Sequence, residues 1–186
     1  MDKVNWDVTL DRSVYLLEID DLLFPKRDYL LQVYYLFANF VEFTEGRELS
    51  KSMVDFMKSV YEERGEVAVL SETFDHFNLS DSYRENFERL QANAHLPLKL
   101  FLPEKTKAFL QTLSTSKKQI GILTGGNPVE QLNKLKHLDW QDLHPLLSSL
   151  KVFFLKELQF RNIEPLDFLA ETYQVKEDDI CIIQQL

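Results

Sequence analysis

The sequence has few of the features that mark secreted, disulfide-bonded or membrane-spanning proteins. Its 186 residues include a single cysteine, Cys181, so no internal disulfide can form. No stretch approaches the roughly 20 consecutive apolar residues that a membrane-spanning helix needs. The first ten residues contain Asp2, Asn5 and Asp7 where a secretory signal would have an apolar core. We therefore expect a cytoplasmic protein that is not embedded in a membrane.

An excess of positive charge is also missing. The chain has 21 Lys and Arg against 30 Asp and Glu, a formal net charge of −9 and a pI near 5.0. This balance repels the phosphates of nucleic acids and the surface of anionic membranes, so neither is expected as a main partner. The 45% of hydrophobic residues suffice for a sizeable core, in one domain or in one domain with an insertion.

Signatures of several common catalytic sites are absent too. The four histidines lack the spacing of metal ligands: His76, His95, His137 and His144. The sequence contains no Gly-x-Ser-x-Gly motif and no Cys–His pairing that would supply another nucleophile. Cys181 lies in an apolar run, which favours a buried and unreactive thiol. Zinc sites, serine hydrolases and cysteine hydrolases are therefore not indicated.

Short apolar runs alternate with helical patterns along most of the chain. Continuous rather than alternating apolar residues predict strands buried on both faces of a parallel sheet, at Val14–Ile19, Gln119–Leu123, Asp179–Ile183 and, more weakly, Val152–Leu155. Helical spacing with an initial proline predicts helices at Pro103–Leu113, Pro128–Leu138 and Pro165–Tyr173. Strand–helix repetition of this kind predicts an α/β fold with right-handed crossovers.

One interval is too long for a simple crossover. It runs from Phe24 to Leu98, about 75 residues, where most connections in compact domains have only a few. Its pattern predicts helices at Lys26–Glu45, Arg47–Arg64, Val67–Phe77 and Ser80–His95. We therefore predict an α/β core domain of residues 1–23 and 99–186 and a helical cap domain of residues 24–98. We expect the cap to lie over the carboxyl ends of the strands, where open α/β sheets bind ligands.

The first of these helices, Lys26–Glu45, is apolar almost all round and rich in Tyr and Phe. Two explanations fit that pattern. The helix is either buried between the other cap helices and the sheet domain, or it presents a face to a partner or to a second copy of the chain.

Polar residues follow three of the predicted strands, in "EIDDLL", "LTGGNP" and "IIQQL". The carboxyl ends of parallel strands meet at one edge, so these residues should converge on one crevice. Thr124, Gly125 and Gly126 would offer a hydroxyl and backbone N–H groups to an anion at a helix N-terminus. A Gly-Gly turn that merely caps the helix is the alternative.

The segments "YLLEIDDLLFPKRDYLL", "LPLKLFLPEKTKAFLQTL" and "IGILTGGNPVEQLNKLKHL" together resemble the haloacid dehalogenase-like (HAD) hydrolase superfamily. The resemblance covers almost the whole chain and concerns the phosphatase branch with a helical cap after the first strand. It implies a three-layer, Rossmann-like α/β fold with a parallel sheet and an all-helical cap. It also implies a phosphoryl-transfer site at the carboxyl ends of the strands.

Several positions depart from the motifs of that family. In its Asp-x-Asp-x-Thr motif the first Asp is the nucleophile and the second the general acid and base. Here Glu18 occupies the nucleophile position, Asp20 the acid/base position and Leu22 the threonine position, while Thr124 keeps the hydroxyl of the second motif.

The later motifs depart as well. In "NIEP", Asn162 stands where the family has a lysine, although a shift of one or two residues would instead offer Arg161. In "CIIQQL", Gln185 stands at the position of a magnesium-binding Asp. By the resemblance, Glu18, Asp20 and Gln185 occupy the metal positions, and Mg²⁺ is expected as a cofactor only if some activity survives.

These changes weaken the implied chemistry. A longer nucleophile moves its oxygens by roughly 1 Å, a displacement that can cost about 10²-fold in rate. A neutral Gln is a poor ligand for Mg²⁺. A phosphoryl group would be repelled by the acids, at about 4 kcal/mol for charges about 4 Å apart at an effective dielectric constant of about 20.

We therefore expect a catalytically impaired or inactive phosphatase homologue, a pseudoenzyme with a binding or regulatory role toward a small phosphorylated molecule or a protein partner. The alternative is a weak Mg²⁺-dependent phosphomonoester hydrolase that acts on a small phosphorylated metabolite. A structural role for Glu18 and Asp20 is also possible, in which they cap strand ends and bond to N–H groups of the loop. A separate alternative for the whole protein is that it is an assembly subunit.

Overall fold

The computed structural model describes residues 10–97 and 99–184. The chain divides into two compact units, one of Met1–Pro25 with Pro97–Leu186 and one of Lys26–Leu96. The sequence analysis placed the corresponding boundaries between residues 23 and 24 and between residues 98 and 99. The second unit is built from helices.

The helical unit contains four α-helices: α1 (Lys26–Glu45), α2 (Ser50–Arg64), α3 (Glu66–Phe77) and α4 (Arg84–Asn93). Glycine separates α2 from α3, because Gly65 has a φ of +81° that ends one helix and starts the next. The predicted helix Ser80–His95 is instead a 3₁₀ turn at Asp81–Tyr83 followed by α4. The Ser80 side chain accepts a hydrogen bond from the N–H of Ser82 and so caps that turn.

Helix α1 buries one continuous stripe even though its sequence is apolar nearly all round. The buried residues recur at helical spacing: Tyr29, Leu30, Val33, Tyr34, Phe37, Ala38 and Val41. Within this unit the Phe37 ring packs against Phe74 of α3 and Phe87 of α4, with ring centroids 6.1 and 5.2 Å apart. Phe37 of the buried stripe therefore packs inside the helical unit, while Tyr35 and Phe43 remain 55% and 89% exposed.

The other unit is an α/β unit. Its strands are β1 (Val14–Leu17), β2 (Leu100–Phe101), β3 (Gln119–Thr124), β4 (Leu138–Asp139), β5 (Lys151–Phe154) and β6 (Ile180–Ile183). Its helices are α5 (Glu104–Thr115), α6 (Pro128–His137), α7 (Leu155–Phe160) and α8 (Pro165–Tyr173). Strands β5, β3, β1 and β6 form, in this order, a parallel four-stranded sheet. The predicted Rossmann-like α/β fold class is thus confirmed.

Strand order explains the burial of these strands. The inner strands β1 and β3 are buried throughout, apart from Gln119 at the start of β3. Strands β5 and β6, which flank them in the described sheet, are only partly buried. Burial on both faces requires continuous apolar sequence, and both inner strands were predicted from such runs, as was the flanking strand β6.

Several short elements were not predicted. Strands β2 and β4 pair in a separate two-stranded sheet of two residues each, and a 3₁₀ helix covers Gln141–Ser148. Elements this short carry no measurable periodicity. No helix within residues 10–97 and 99–184 is long and apolar enough to cross a membrane.

Cys181 of β6 is half-buried rather than fully buried. Burial raises the pKa of its thiol above the usual range. A raised thiol pKa means less thiolate, so the side chain is poorly reactive at neutral pH.

Candidate functional site

The carboxyl ends of β1 and β3 bring the first two predicted motifs together. These strands are direct neighbours, with Leu17 of β1 opposite Ile122 of β3. Glu18 follows β1 immediately, and Thr124 is the last residue of β3. The backbone N–H of Glu18 donates to the carbonyl of Ile183, which extends the pairing with β6 by one residue.

The Glu18 carboxylate is held by backbone N–H groups. Its Oε1 accepts from the N–H of Ile19 at 2.8 Å, and its Oε2 accepts from the N–H of Gly125 at 3.2 Å. Gly125 belongs to the group of residues that the sequence analysis assigned to a bound anion. In this arrangement its N–H is occupied by a carboxylate of the chain itself.

The loop after Glu18 is a tight and buried turn. Asp21 adopts a left-handed conformation with φ +61°, and the N–H groups of Leu23 and Phe24 both donate to the carbonyl of Ile19. The Thr106 hydroxyl of α5 donates to the carbonyl of Leu22 at 2.8 Å. Leu22 is 1% exposed. The position that would carry a threonine by the resemblance thus contributes to the core.

Asp20 is bound by two side chains of α6. Its Oδ1 lies 2.5 Å from Lys134 Nζ, and its Oδ2 accepts from Gln131 Nε2 at 3.2 Å. Lys134 Nζ also lies 2.6 Å from Oε1 of Glu130. The side chain of Lys134 is fully buried, and those of Glu130 and Asp20 are 8% and 19% exposed. We call these four residues the Lys134 cluster.

Sequence reasoning missed three members of the Lys134 cluster. Residues three and four positions apart lie on the same side of a helix, so Glu130, Gln131 and Lys134 share a face of α6. The segment that contains α6 carries part of the resemblance to the haloacid dehalogenase-like superfamily, but no role was predicted for Lys134. A lysine and a glutamate on the side of the helix that faces a strand end were the available signal.

Helix α6 begins with a cap that uses further N–H groups. The Asn127 side chain accepts from the N–H groups of Val129 and Glu130 at 2.9 and 3.4 Å, and Pro128 fills the first helical position. Gly126 lies directly beneath Gln131, so that any side chain at position 126 would collide with the amide of Gln131. The glycine is therefore required by the position of Gln131.

Two buried polar atoms near this helix start keep unused hydrogen-bonding capacity. Thr124 Oγ1 and Gln131 Oε1 have no hydrogen-bond partner among the described residues, and both residues are 0% exposed. Buried polar atoms are rarely left unpaired, and each case calls for an explanation. The Thr124 hydroxyl thus has hydrogen-bonding capacity that no described residue uses.

The third predicted motif has a different environment. Asn162 is exposed just after α7, and its N–H donates to the carbonyl of Gln159. Its φ of +54° is left-handed, a conformation that Asn adopts readily at helix ends. Helix termination therefore accounts for this residue type. Arg161, the other candidate, is exposed and lies 4.0 Å from Glu157. Gln185 lies outside the described residues.

The described residues do not fit the Mg²⁺ ion that the resemblance implies. Mg²⁺ prefers octahedral geometry and is usually bound through one or two carboxylates together with waters. Both oxygens of Glu18 accept backbone N–H groups, and both oxygens of Asp20 face Lys134 or Gln131. In the part of the chain that the structure describes, no group of three or more His, Cys, Asp or Glu side chains is arranged to hold a metal ion.

Solved structures, but no family model or curated protein, are similar to this chain. No protein-family model matches the sequence, and no curated protein matches it. Among solved structures, a protein from Thermotoga maritima provisionally assigned as a β-phosphoglucomutase superposes with a TM-score of 0.57 at 15% identity. That alignment covers 91% of this chain and 74% of the other. The chain has a haloacid dehalogenase-like fold.

Two further structures are similar to this chain at a TM-score of 0.49. One is a dehalogenase with an intermediate complex, at 11% identity over 94% of this chain and 77% of the other. The second is a haloacid dehalogenase-like protein of unknown function from Agrobacterium tumefaciens, at 14% identity over 92% and 73%. At these identities the likeness concerns the fold alone.

Proposed function

We propose that this haloacid dehalogenase-like protein is a catalytically impaired or inactive phosphatase homologue that works by binding rather than by turnover. The observation that carries the proposal is the internal use of both working carboxylates. Glu18 accepts two backbone N–H groups, and Asp20 is bound to Lys134 and Gln131.

The contacts of Glu18 and Asp20 are each incompatible with the catalytic role that the resemblance implies for that residue. A nucleophilic carboxylate needs an oxygen directed at the phosphorus atom of the substrate. Glu18 Oε2 instead accepts a hydrogen bond from the N–H of Gly125. A general acid must carry a proton that it can release to a leaving group. Both oxygens of Asp20 are instead bound to side chains of α6, Lys134 and Gln131, rather than directed at a leaving group.

The ligand that we propose is a small phosphorylated molecule or a protein partner. The hydroxyl of Thr124 supplies a polar group for a small anion. We assign no metal to this role, because the described donors do not fit one.

Turnover of a generic phosphomonoester tests the proposal. We expect the purified protein to release no phosphate from para-nitrophenyl phosphate with Mg²⁺ above the rate without protein. Turnover that is lost in Glu18→Ala and kept in Glu164→Ala would overturn the proposal. Glu164 is an exposed acid of the same unit and serves as the matched control.

A weak Mg²⁺-dependent hydrolase of a small phosphorylated metabolite is the second candidate. The unpaired Thr124 hydroxyl favours it, since this atom would bind a phosphoryl oxygen. Mg²⁺ that binds the native state must raise the melting temperature. A rise at millimolar Mg²⁺ that disappears in Asp20→Asn would support this candidate, and an unchanged melting temperature would reject it.

A further inference from the structure

The helical unit has a groove along its first two helices. A cleft of about 540 Å³ is lined by Glu42, Glu48, Ser50, Lys51, Ser52 and Asp55. A second hollow, of about 260 Å³, is lined by Tyr35, Ser50, Lys51, Val54 and Asp55. The two share Ser50, Lys51 and Asp55 and therefore adjoin each other, and we call them together the α1–α2 groove.

The groove has an apolar end. Tyr35 is 55% exposed, and Val54 is half-buried. The buried stripe of α1 packs inside the helical unit without using Tyr35. A large aromatic side chain held at the rim of a depression, beside an aliphatic one, provides an anchor position for an apolar side chain of another molecule.

The other end of the groove is negatively charged. Glu48 and Asp55 are exposed and have neither a hydrogen bond nor an ion pair to any residue the structure describes. Glu42 accepts hydrogen bonds from Ser50 and from the N–H of Leu49, which lower the pKa of its carboxyl and keep it ionised. Lys51 is a single cation among these three acids, so the groove carries a net negative charge.

We propose that the α1–α2 groove docks a cationic segment of a partner protein in which Lys or Arg adjoins a large apolar residue. The apolar residue packs against Tyr35 and Val54, and the cation pairs with Glu48 and Asp55. Charge complementarity selects this occupant, because an anionic segment would be repelled. The proposal concerns the helical unit alone and stands whether or not the α/β unit turns over phosphate.

A synthetic peptide serves as the probe. We choose an amphipathic helical peptide with Arg and Leu at helical spacing, and a control peptide in which every Arg is replaced by Glu. Fluorescence anisotropy with the full-length protein should show binding of the Arg peptide alone. The affinity should fall as the ionic strength rises toward about 1 M, where the screening length is only about 3 Å.

Groove variants, each with a control variant elsewhere in the helical unit, test whether the peptide binds in the α1–α2 groove. The double variant Glu48→Gln/Asp55→Asn should weaken binding about fivefold or more. Glu85→Gln/Glu88→Gln, which neutralises two exposed acids of α4, should leave binding unchanged. Tyr35→Ala should weaken binding, whereas Phe43→Ala should not, because Phe43 is more exposed yet does not line the groove.

Four results would overturn the proposal. These are the absence of binding at millimolar peptide, equal binding of the Glu peptide, and equal losses in the groove variants and their matched controls. The fourth is sedimentation of the protein as a dimer that Tyr35→Ala dissociates, because the occupant would then be a second copy of this chain.

Discussion

Among the residues near the strand ends, Lys134 most affects how the role of Asp20 is interpreted. It is a fully buried cation between two carboxylates, Asp20 at 2.5 Å and Glu130 at 2.6 Å. Removing one partner of a buried ion pair leaves the other charges without compensation, which costs far more than the pair contributes by itself. The lysine thus stabilises the conformation in which Asp20 is bound to α6.

Replacing Lys134 should destabilise the protein strongly. We expect Lys134→Met to lower the free energy of unfolding by about 3 kcal/mol or more, since the side chains of Asp20 and Glu130 would both lose their buried ion-pair partner. Urea denaturation followed by circular dichroism measures this. Lys136→Met, at an exposed position of the same helix, should change stability by less than about 0.5 kcal/mol. Equal losses in the two variants would contradict the structural role of Lys134.

The sequence located these residues better than it described their contacts. Strand patterns placed Glu18 and Thr124 at neighbouring strand ends, because buried parallel strands give a continuous apolar signal. The hydrogen bond from Gly125 to Glu18 and the ion pair of Asp20 with Lys134 depend on side-chain rotamers and on the position of α6. No spacing in the chain encodes those geometries.

At the scale of single elements, α2 begins in an unusual way. Its N-terminal neighbour Leu49 has no side chain that could cap the helix. Glu42 of α1 supplies the cap instead, since its Oε2 accepts the N–H groups of Leu49 and Ser50 at 2.8 and 2.7 Å. This explains why α2 starts at Ser50, three residues after the predicted start, and why the preceding turn is fixed.

Removing this cap should loosen the start of α2. Hydrogen bonds from Ser50 and Leu49 lower the pKa of Glu42, so its stabilising effect is present above the usual carboxyl pKa near 4.5 and is lost as the pH falls further. We expect Glu42→Gln to reduce the melting temperature at pH 7 and to speed amide exchange at Leu49 and Ser50. The difference from the unmodified protein should shrink in acid.

The matched control is Glu85→Gln, an exposed acid of α4. It should leave both the melting temperature and the exchange rates unchanged. Unaltered amide exchange at Leu49 in Glu42→Gln would contradict the capping role of Glu42.

Burial of tyrosine side chains makes the stability of the whole molecule depend on pH in the alkaline range. Burial raises the pKa of Tyr15, Tyr34 and Tyr173, that of Tyr173 to about 12. A raised pKa means that the folded state favours the neutral phenol. The corresponding stability is fully present below the ordinary tyrosine pKa of about 10 and is lost as the pH rises through the folded-state values.

Unfolding in alkali should show this dependence. We expect the free energy of unfolding to fall between pH 10 and 12, measured by urea denaturation at successive pH values. Tyr173→Phe should make the fall shallower. It should cost little at pH 7, because the Tyr173 hydroxyl is buried without a hydrogen-bond partner among the described residues. The same slope in both proteins would show that Tyr173 does not contribute.

For the molecule as a whole, the sequence was sufficient for the fold and for the main helices. Helix α1 and helix α8 have their predicted bounds, since long or proline-initiated patterns are clear. The two-residue strands β2 and β4 and the 3₁₀ turns were not predictable from periodicity, because tertiary packing sets them.

Gly126 has a consequence for how this sequence can diverge. It has no side chain because Gln131 lies against it, and Gln131 in turn binds Asp20 beside Lys134. A substitution at position 126 would push away the Gln131 amide and leave part of the Asp20 carboxylate unbound. Divergent sequences with the same arrangement should therefore keep glycine, glutamine and lysine at these three positions as a set, with the spacing G-x₄-Q-x₂-K downstream of an acid at position 20.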